Sequence, residues 1–555
     1  MRLFLSALLF LATSMGYRDG IAESPATLTG TFLDDPVQGL FYRAMDGSPS
    51  GYTDAAGKFN YHAGDVIQFY LGDQYGIPLG SAKGKSIITP IDLVPGANGP
   101  SDPKVNNIAY LLQLFSNGEG KIIIPAAKLF RQEVRAVQQA KPINLASASF
   151  VKDIADGLLK GLTANKPNVD PQFNLDVARI NLGHNVAQVY FPTSLHATGF
   201  GMQWWFNRGI GKLIGKGEFD QLGCGLQCHA IDKPPIEGQT AASPACENCH
   251  ETQAERDALL AEGKPLVKAK DPKTCFACHG RQGLEMNDAM LTAMGMPVNT
   301  DVHRAAGKSC TSCHTFNEIH GNGIKYNSMH VSGKMERDCT SCHKLKSTSV
   351  VDVDAGNAPS IPSAIREHKQ HTKDIHCSSC HIQTVTTCYN CHLDSSKIAK
   401  ARVFTRPFQG FVILANDKQT KKITPVAYMT SIGQGKTGVT FAPYYNHSVQ
   451  GKGRVCADCH NNAQMQEFAA NGEILVTSME GDKLVHAQGV IPFVPNKMKF
   501  VFMDHQLSTT GPFNMMTNPG TWSPLGAAGF AQSTRYEFIT PLTAAQIEAL
   551  KLPLK

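Results

Sequence analysis

Sixteen cysteines fall into eight close pairs, and a histidine follows the second member of every pair. The pairs are Cys224 and Cys228, Cys246 and Cys249, Cys275 and Cys278, Cys310 and Cys313, Cys339 and Cys342, Cys377 and Cys380, Cys388 and Cys391, and Cys456 and Cys459. The histidines are His229, His250, His279, His314, His343, His381, His392 and His460. Two thiols and an adjacent imidazole are what covalent haem c requires: two thioethers to the porphyrin edge and one axial nitrogen to the iron. Tetrahedral zinc gives no reason for a histidine after each pair, and redox-active dithiols do not need one either. Eight haem c groups are therefore expected. The first motif, CGLQCH, spaces its cysteines by three residues where the others use two, so its loop must bulge.

A haem capped by histidine on both faces has no open position and suits electron transfer, whereas an open face can bind a substrate. Twelve further histidines are present. His330, His368 and His447 each stand nine residues before a motif's first cysteine, and His303 stands seven before Cys310. The segments HVSGKMERDCTSCH and HSVQGKGRVCADCH read as a degenerate repeat of histidine, basic linker and motif. These four, with His376 directly before Cys377, lead the expected distal ligands. His184, His196, His320 and His371 follow, and His486 and His505 rank lowest.

Around these residues the chain changes character several times. Residues 1–22 carry an arginine and a short apolar run, which reads as a cleaved secretory signal ending after Ala22. Residues 25–105 alternate short apolar runs with Asp-Gly and Pro turns, the pattern of a small β-sandwich. Residues 106–177 shift towards helical periodicity and read as a linker. Residues 178–480 hold all the motifs, and the stretch from Cys224 to His460 offers about 30 residues per haem, too little chain for an ordinary core around each cofactor. Porphyrins are expected to supply much of that core, wrapped in short helices and loops. The overall class is mixed and mostly irregular, with low secondary-structure content in the haem region. An inserted hairpin or small sheet is expected in the long gap 393–455, and 481–555 is expected to cover the last haems and close with a helix capped by Thr543 and Gln546.

The formal charge of +6 would be offset by haem propionates, about sixteen negative charges for eight haems, so the lysines and arginines read as propionate partners and no nucleic acid is implied. No segment after the leader is apolar enough to span a bilayer.

With its eight motifs, its upstream histidines and runs such as CSSCHIQTVTTCYNCH and PYYNHSVQGKGRVCADCH, the chain resembles the large multihaem c-type cytochromes of bacteria that respire on external acceptors. Its DDPVQGLFYRA and GYTDAAGKFNYHAGDVIQFYLG segments resemble an Ig-like module of bacterial surface proteins. The resemblance implies an exported electron conduit, at the cell surface, extracellular or periplasmic. Partners would be other cytochromes and acceptors such as metal oxides or humics, and subunits could stack into filaments. The competing class is an octahaem oxidoreductase of nitrite, hydroxylamine or tetrathionate with one open haem. No catalytic residue outside the haem ligands stands out.

Overall fold

The computed structural model describes residues 26–117, 120–153, 175–201, 205, 208–209, 245–286, 292, 298, 301–331, 334–351 and 358–552. The expected leader, residues 1–22, and the whole first motif, Cys224 to His229, lie outside these residues. The chain divides into two compact units, 1–186 and 187–555.

In the first unit the alternating runs form two small sheets. Strands Lys58–His62, Thr27–Phe32 and Ile87–Ile88 make one; Ser50–Tyr52, Phe41–Ala44, Val66–Leu71 and Ile77–Lys83 make the other. Each strand turns every second side chain inward. Aromatic rings of the two sheets meet there: Phe32 lies 4.8 Å from Phe69, and Tyr42 lies 5.8 Å from Phe59. This β-rich region is compatible with the expected sandwich. A helix, Pro103–Gln113, follows; Asp102 caps it by accepting the N–H groups of Lys104 and Val105, and proline stands in its first turn. Its Val105, Ile108, Leu111 and Leu112 are fully buried, so it forms part of this unit's core.

The second unit has two contrasting parts. Among the described residues from 245 to 381, Leu284 is the one buried large apolar side chain. Short helices and loops dominate there, as the sequence predicts. The segment 385–540 departs from that expectation. Strands Val385–Tyr389, Arg406–Asp417, Ile423–Gly433, Lys436–Pro443 and Ser533–Tyr536 lie side by side, and Cys391–His392, Gly489–Pro492 and Ile539–Thr540 complete an eight-stranded sheet. Its core includes Tyr389, Phe411, Tyr428, Phe441, Phe493 and Phe500, all essentially inaccessible. Phe411–Leu414 pairs in parallel with Gly489–Pro492, so residues beyond 480 are built into the sheet. A helix near the C-terminus, Ala544–Lys551, carries the predicted capping box of Thr543 and Gln546.

Candidate functional site

Six motifs share one local geometry. Cys246, Cys275, Cys310, Cys339, Cys377 and Cys456 each lie in a short α or 3-10 turn. In five of them the histidine N–H donates to the carbonyl of the first cysteine at 2.9 Å, closing an α-helical turn. Positions i, i+3 and i+4 share a helix face, so both thiols and the imidazole point the same way. Local polar residues set these turns: Ser309 and Ser312, and Asp338 and Ser341, make reciprocal caps, and Asp458 accepts the Val455 N–H at 2.9 Å.

Opposite most of these imidazoles stands a second one. The ring centres of His250 and His320 are 5.8 Å apart, His279 and His196 6.0 Å, His314 and His447 6.4 Å, His343 and His303 5.9 Å, and His381 and His368 6.2 Å. His371 is near enough to His460 for the two charges to repel, without a ring contact of that kind among the described residues. An iron held by two imidazoles through Fe–N bonds of about 2 Å places their ring centres roughly 6 Å apart. The five measured spacings therefore fit bis-histidine haem.

The ring nitrogens are oriented to match. His196, His320, His343, His368, His381 and His460 turn Nδ1 to a backbone carbonyl, of Ile319, Phe316, Pro359, Pro362, Gln450 and Ala549 respectively, at 2.7 to 3.2 Å. Donation through Nδ1 leaves the Nε2 lone pair for a metal. Burial pushes His279 and His320 down to about 4, so both are neutral at physiological pH. His447 and His303 run the other way: burial lowers His447, but the Glu285 carboxylate beside it leaves it raised, and the hydrogen bond to Asp301 raises His303.

Neighbouring motifs are linked through their thiols. Cys249 lies beside Cys278, Cys313 beside Cys342, and Cys380 beside Cys456 and Cys459. The Cys275 thiol lies against that of Cys310, and the Cys339 thiol against that of Cys377, each pair close enough to perturb the other's ionisation. The motifs beginning at 246, 275, 310, 339, 377 and 456 thus form one row, in chain order.

The motif at Cys388 is built differently. Cys388 lies within an extended strand that ends at Tyr389, and Asn390 takes a left-handed conformation at φ 59°. Tyr389 is sunk into the sheet core, its hydroxyl bonded to Thr477 at 2.7 Å and to the Val501 carbonyl at 2.6 Å. The Asn390 backbone N–H donates to the Thr430 hydroxyl. The Met503 N–H donates to the Asn390 side-chain oxygen at 2.9 Å. His392 accepts the Ser395 N–H at Nδ1 and faces Asp504 with Nε2 at 2.9 Å, so neither nitrogen is free. His505 nevertheless lies 5.8 Å from it, ring centre to ring centre. It donates through Nε2 to the Pro519 carbonyl, and its Nδ1 is buried without a hydrogen-bond partner. Iron ligation there requires His392 to exchange Asp504 for the metal. The thiol of Cys388 is surrounded by Arg281, Arg402 and Glu285.

The sequence ranked several distal residues differently. His330 is buried against Phe538 and His376 is stacked on Tyr445; among the described residues neither shares a ring contact with a motif histidine. His184 belongs to the first unit, beside Asp35. His505, ranked lowest, carries the orphaned nitrogen. Glu285, Glu318 and Asp301 bond the ring nitrogens of His447, His314 and His303; Glu318 and Asp301 stand four and two residues from their histidines, a local signal the sequence reading passed over, whereas Glu285 lies 162 residues from His447 and no local pattern announces it.

The doubled CXXCH motif family matches residues 236–284, which span the Cys246 and Cys275 motifs. The match points to a multihaem c-type cytochrome. Covalent haem c and electron transfer come with it, and cytochromes of this kind are generally exported. No curated protein and no solved structure matches the chain. No helix of the described residues is long and apolar enough to cross a membrane.

Proposed function

We propose that this cytochrome is an electron conduit, exported across the inner membrane and passing electrons from a cell-envelope partner to a bulky external acceptor such as a metal oxide, a humic substance or another cytochrome. The observation that carries this reading is the set of paired imidazoles. Bound haem supplies one-electron redox chemistry at iron. His196, His303, His320, His368, His371 and His447 are the proposed distal ligands along the row, with His505 at the Cys388 motif. These residues deny small molecules access to iron and leave porphyrin edges as the points of exchange. The linked thiols support passage along the row, since sulfurs on adjacent porphyrin edges bring those edges close together. Eight covalent haems are expected, one for each motif.

The oxidoreductase reading requires an iron with an open face. The Cys388 motif is where the described residues favour it, because His392 is engaged by Asp504 and two arginines stand by the thiol. Two experiments separate the readings. Electron paramagnetic resonance of the oxidised holoprotein should show low-spin haem throughout. The reduced protein should be reoxidised rapidly by chelated iron or quinone analogues and slowly by nitrite, hydroxylamine or tetrathionate. Steady-state turnover of one of those three, with a high-spin signal, would sink the conduit reading.

A further inference from the structure

Most of the ring nitrogens facing away from the proposed irons meet neutral backbone carbonyls. The pair His314 and His447 is different. His314 turns Nδ1 to the Glu318 carboxylate at 3.1 Å, and His447 turns Nδ1 to Glu285 at 3.2 Å. Both carboxylates are enclosed, with side chains 4% and 0% exposed. The next pair along the row has one such contact, His303 to Asp301 at 3.3 Å, while its partner His343 meets the Pro359 carbonyl. Among the other described pairs no carboxylate bonds a ring, apart from Asp504 at the Cys388 motif.

We propose that Glu285 and Glu318 are positioning residues that make the iron between His314 and His447 the lowest-potential member of the row. The inference rests on the ligand assignment proposed above. A carboxylate accepting the Nδ1 proton pushes electron density towards Nε2, and this favours ferric over ferrous iron. Enclosure in low dielectric strengthens the effect. Part of each charge is offset. Glu285 also accepts the Tyr444 hydroxyl at 2.6 Å and has Arg281 nearby; Glu318 accepts the Glu336 N–H at 2.7 Å and has Lys334 nearby. These contacts also fix each carboxylate in place. The redox step is one electron moving between neighbouring haems in the row, with no bond made or broken and the Nδ1 proton remaining where it is.

The placement gives this a consequence. The Cys310 thiol lies against that of Cys275 on one side, and Cys313 lies beside Cys342 on the other, so the site is inside the row. An uphill step there divides the conduit into two electron pools that equilibrate internally faster than they exchange.

The test is a spectroelectrochemical titration of the holoprotein, monitored by electron paramagnetic resonance, with Glu285→Gln and Glu318→Gln singly and together. Glutamine keeps an acceptor while removing the charge. Each variant should raise the lowest midpoint, the double variant more than either, with the other haems unmoved. Unchanged potentials, or a uniform shift of all haems, would overturn the inference. If Glu285→Gln does not fold, Glu318→Gln alone decides. His447→Ala separates this failure from that of the ligand assignment. If it leaves every haem low-spin, the assignment is wrong; if it yields one high-spin haem while the glutamine variants do nothing, only the tuning role is lost.

Discussion

Individual histidines in this chain do two opposite jobs, and their surroundings decide which. His486 lies in the sheet core, its ring centre 4.0 Å from that of Phe411, with Nε2 2.7 Å from the Tyr428 hydroxyl. Burial pushes it down to about 4 from 6.5. A depressed histidine means that the unfolded chain takes up the proton first. Its contribution to stability is therefore complete above pH 6.5 and declines as pH falls towards 4, by up to about 3 kcal/mol. Urea midpoints measured between pH 7.5 and 4.5 should fall less steeply in His486→Gln than in the parent protein, and parallel slopes would refute the role. His447 is the other kind. In His447→Ala the haem at Cys310 and Cys313 should stay attached, because thioethers hold it, while one haem becomes high-spin.

Short elements carry the attachment chemistry, and the contrast between a turn and a strand is the informative one. Where CXXCH folds as one helical turn, both thiols and the imidazole fall on one face without help from the rest of the protein. At Cys388 the same motif is drawn into a strand because Tyr389 and Asn390 are bonded across the sheet core. Tyr389→Phe leaves the Thr477 hydroxyl and the Val501 carbonyl without that partner. It should destabilise the sheet by about 1–3 kcal/mol in urea unfolding while leaving the haems of the row spectroscopically unchanged. Mass spectrometry of the holoprotein should show eight haem masses. Seven haems, with Cys388 open to alkylation, would identify the extended motif as unloaded.

Across the second unit, stability has two sources. Residues 385–540 have a conventional apolar core, whereas 245–381 has almost no buried large apolar side chain among its described residues. Protein made without haem attachment should therefore exchange amide hydrogens rapidly over 245–381 and remain protected across the strands from Arg406 to Pro443. Uniform protection, or uniform exchange, would contradict this division. The expectation of sparse structure was sound for the first stretch, where motif density leaves few residues for a core. It missed the second, because RPFQGFVILAND and KKITPVAYMTS show local strand character but not the partners, some beyond residue 480, that turn a hairpin into an eight-stranded sheet.

The sequence by itself marked the expected attachment points and proximal imidazoles, because that chemistry is confined to five or six consecutive residues whose spacing is visible on the page. It also marked the scarcity of apolar core from 245 to 381, where the motifs are dense. Which imidazoles face one another was decided only by the tertiary structure. His447 stands nine residues before Cys456 yet faces His314. A second axial ligand needs only one nitrogen at the right distance, and any segment that the fold delivers there can supply it. Spacing to the next motif therefore carries little information about pairing. The carboxylate behind His447 was hidden for the same reason: Glu285 reaches it across a long stretch of sequence, through packing that no local pattern encodes, whereas Glu318 stands one helical turn after His314 and was open to a local reading.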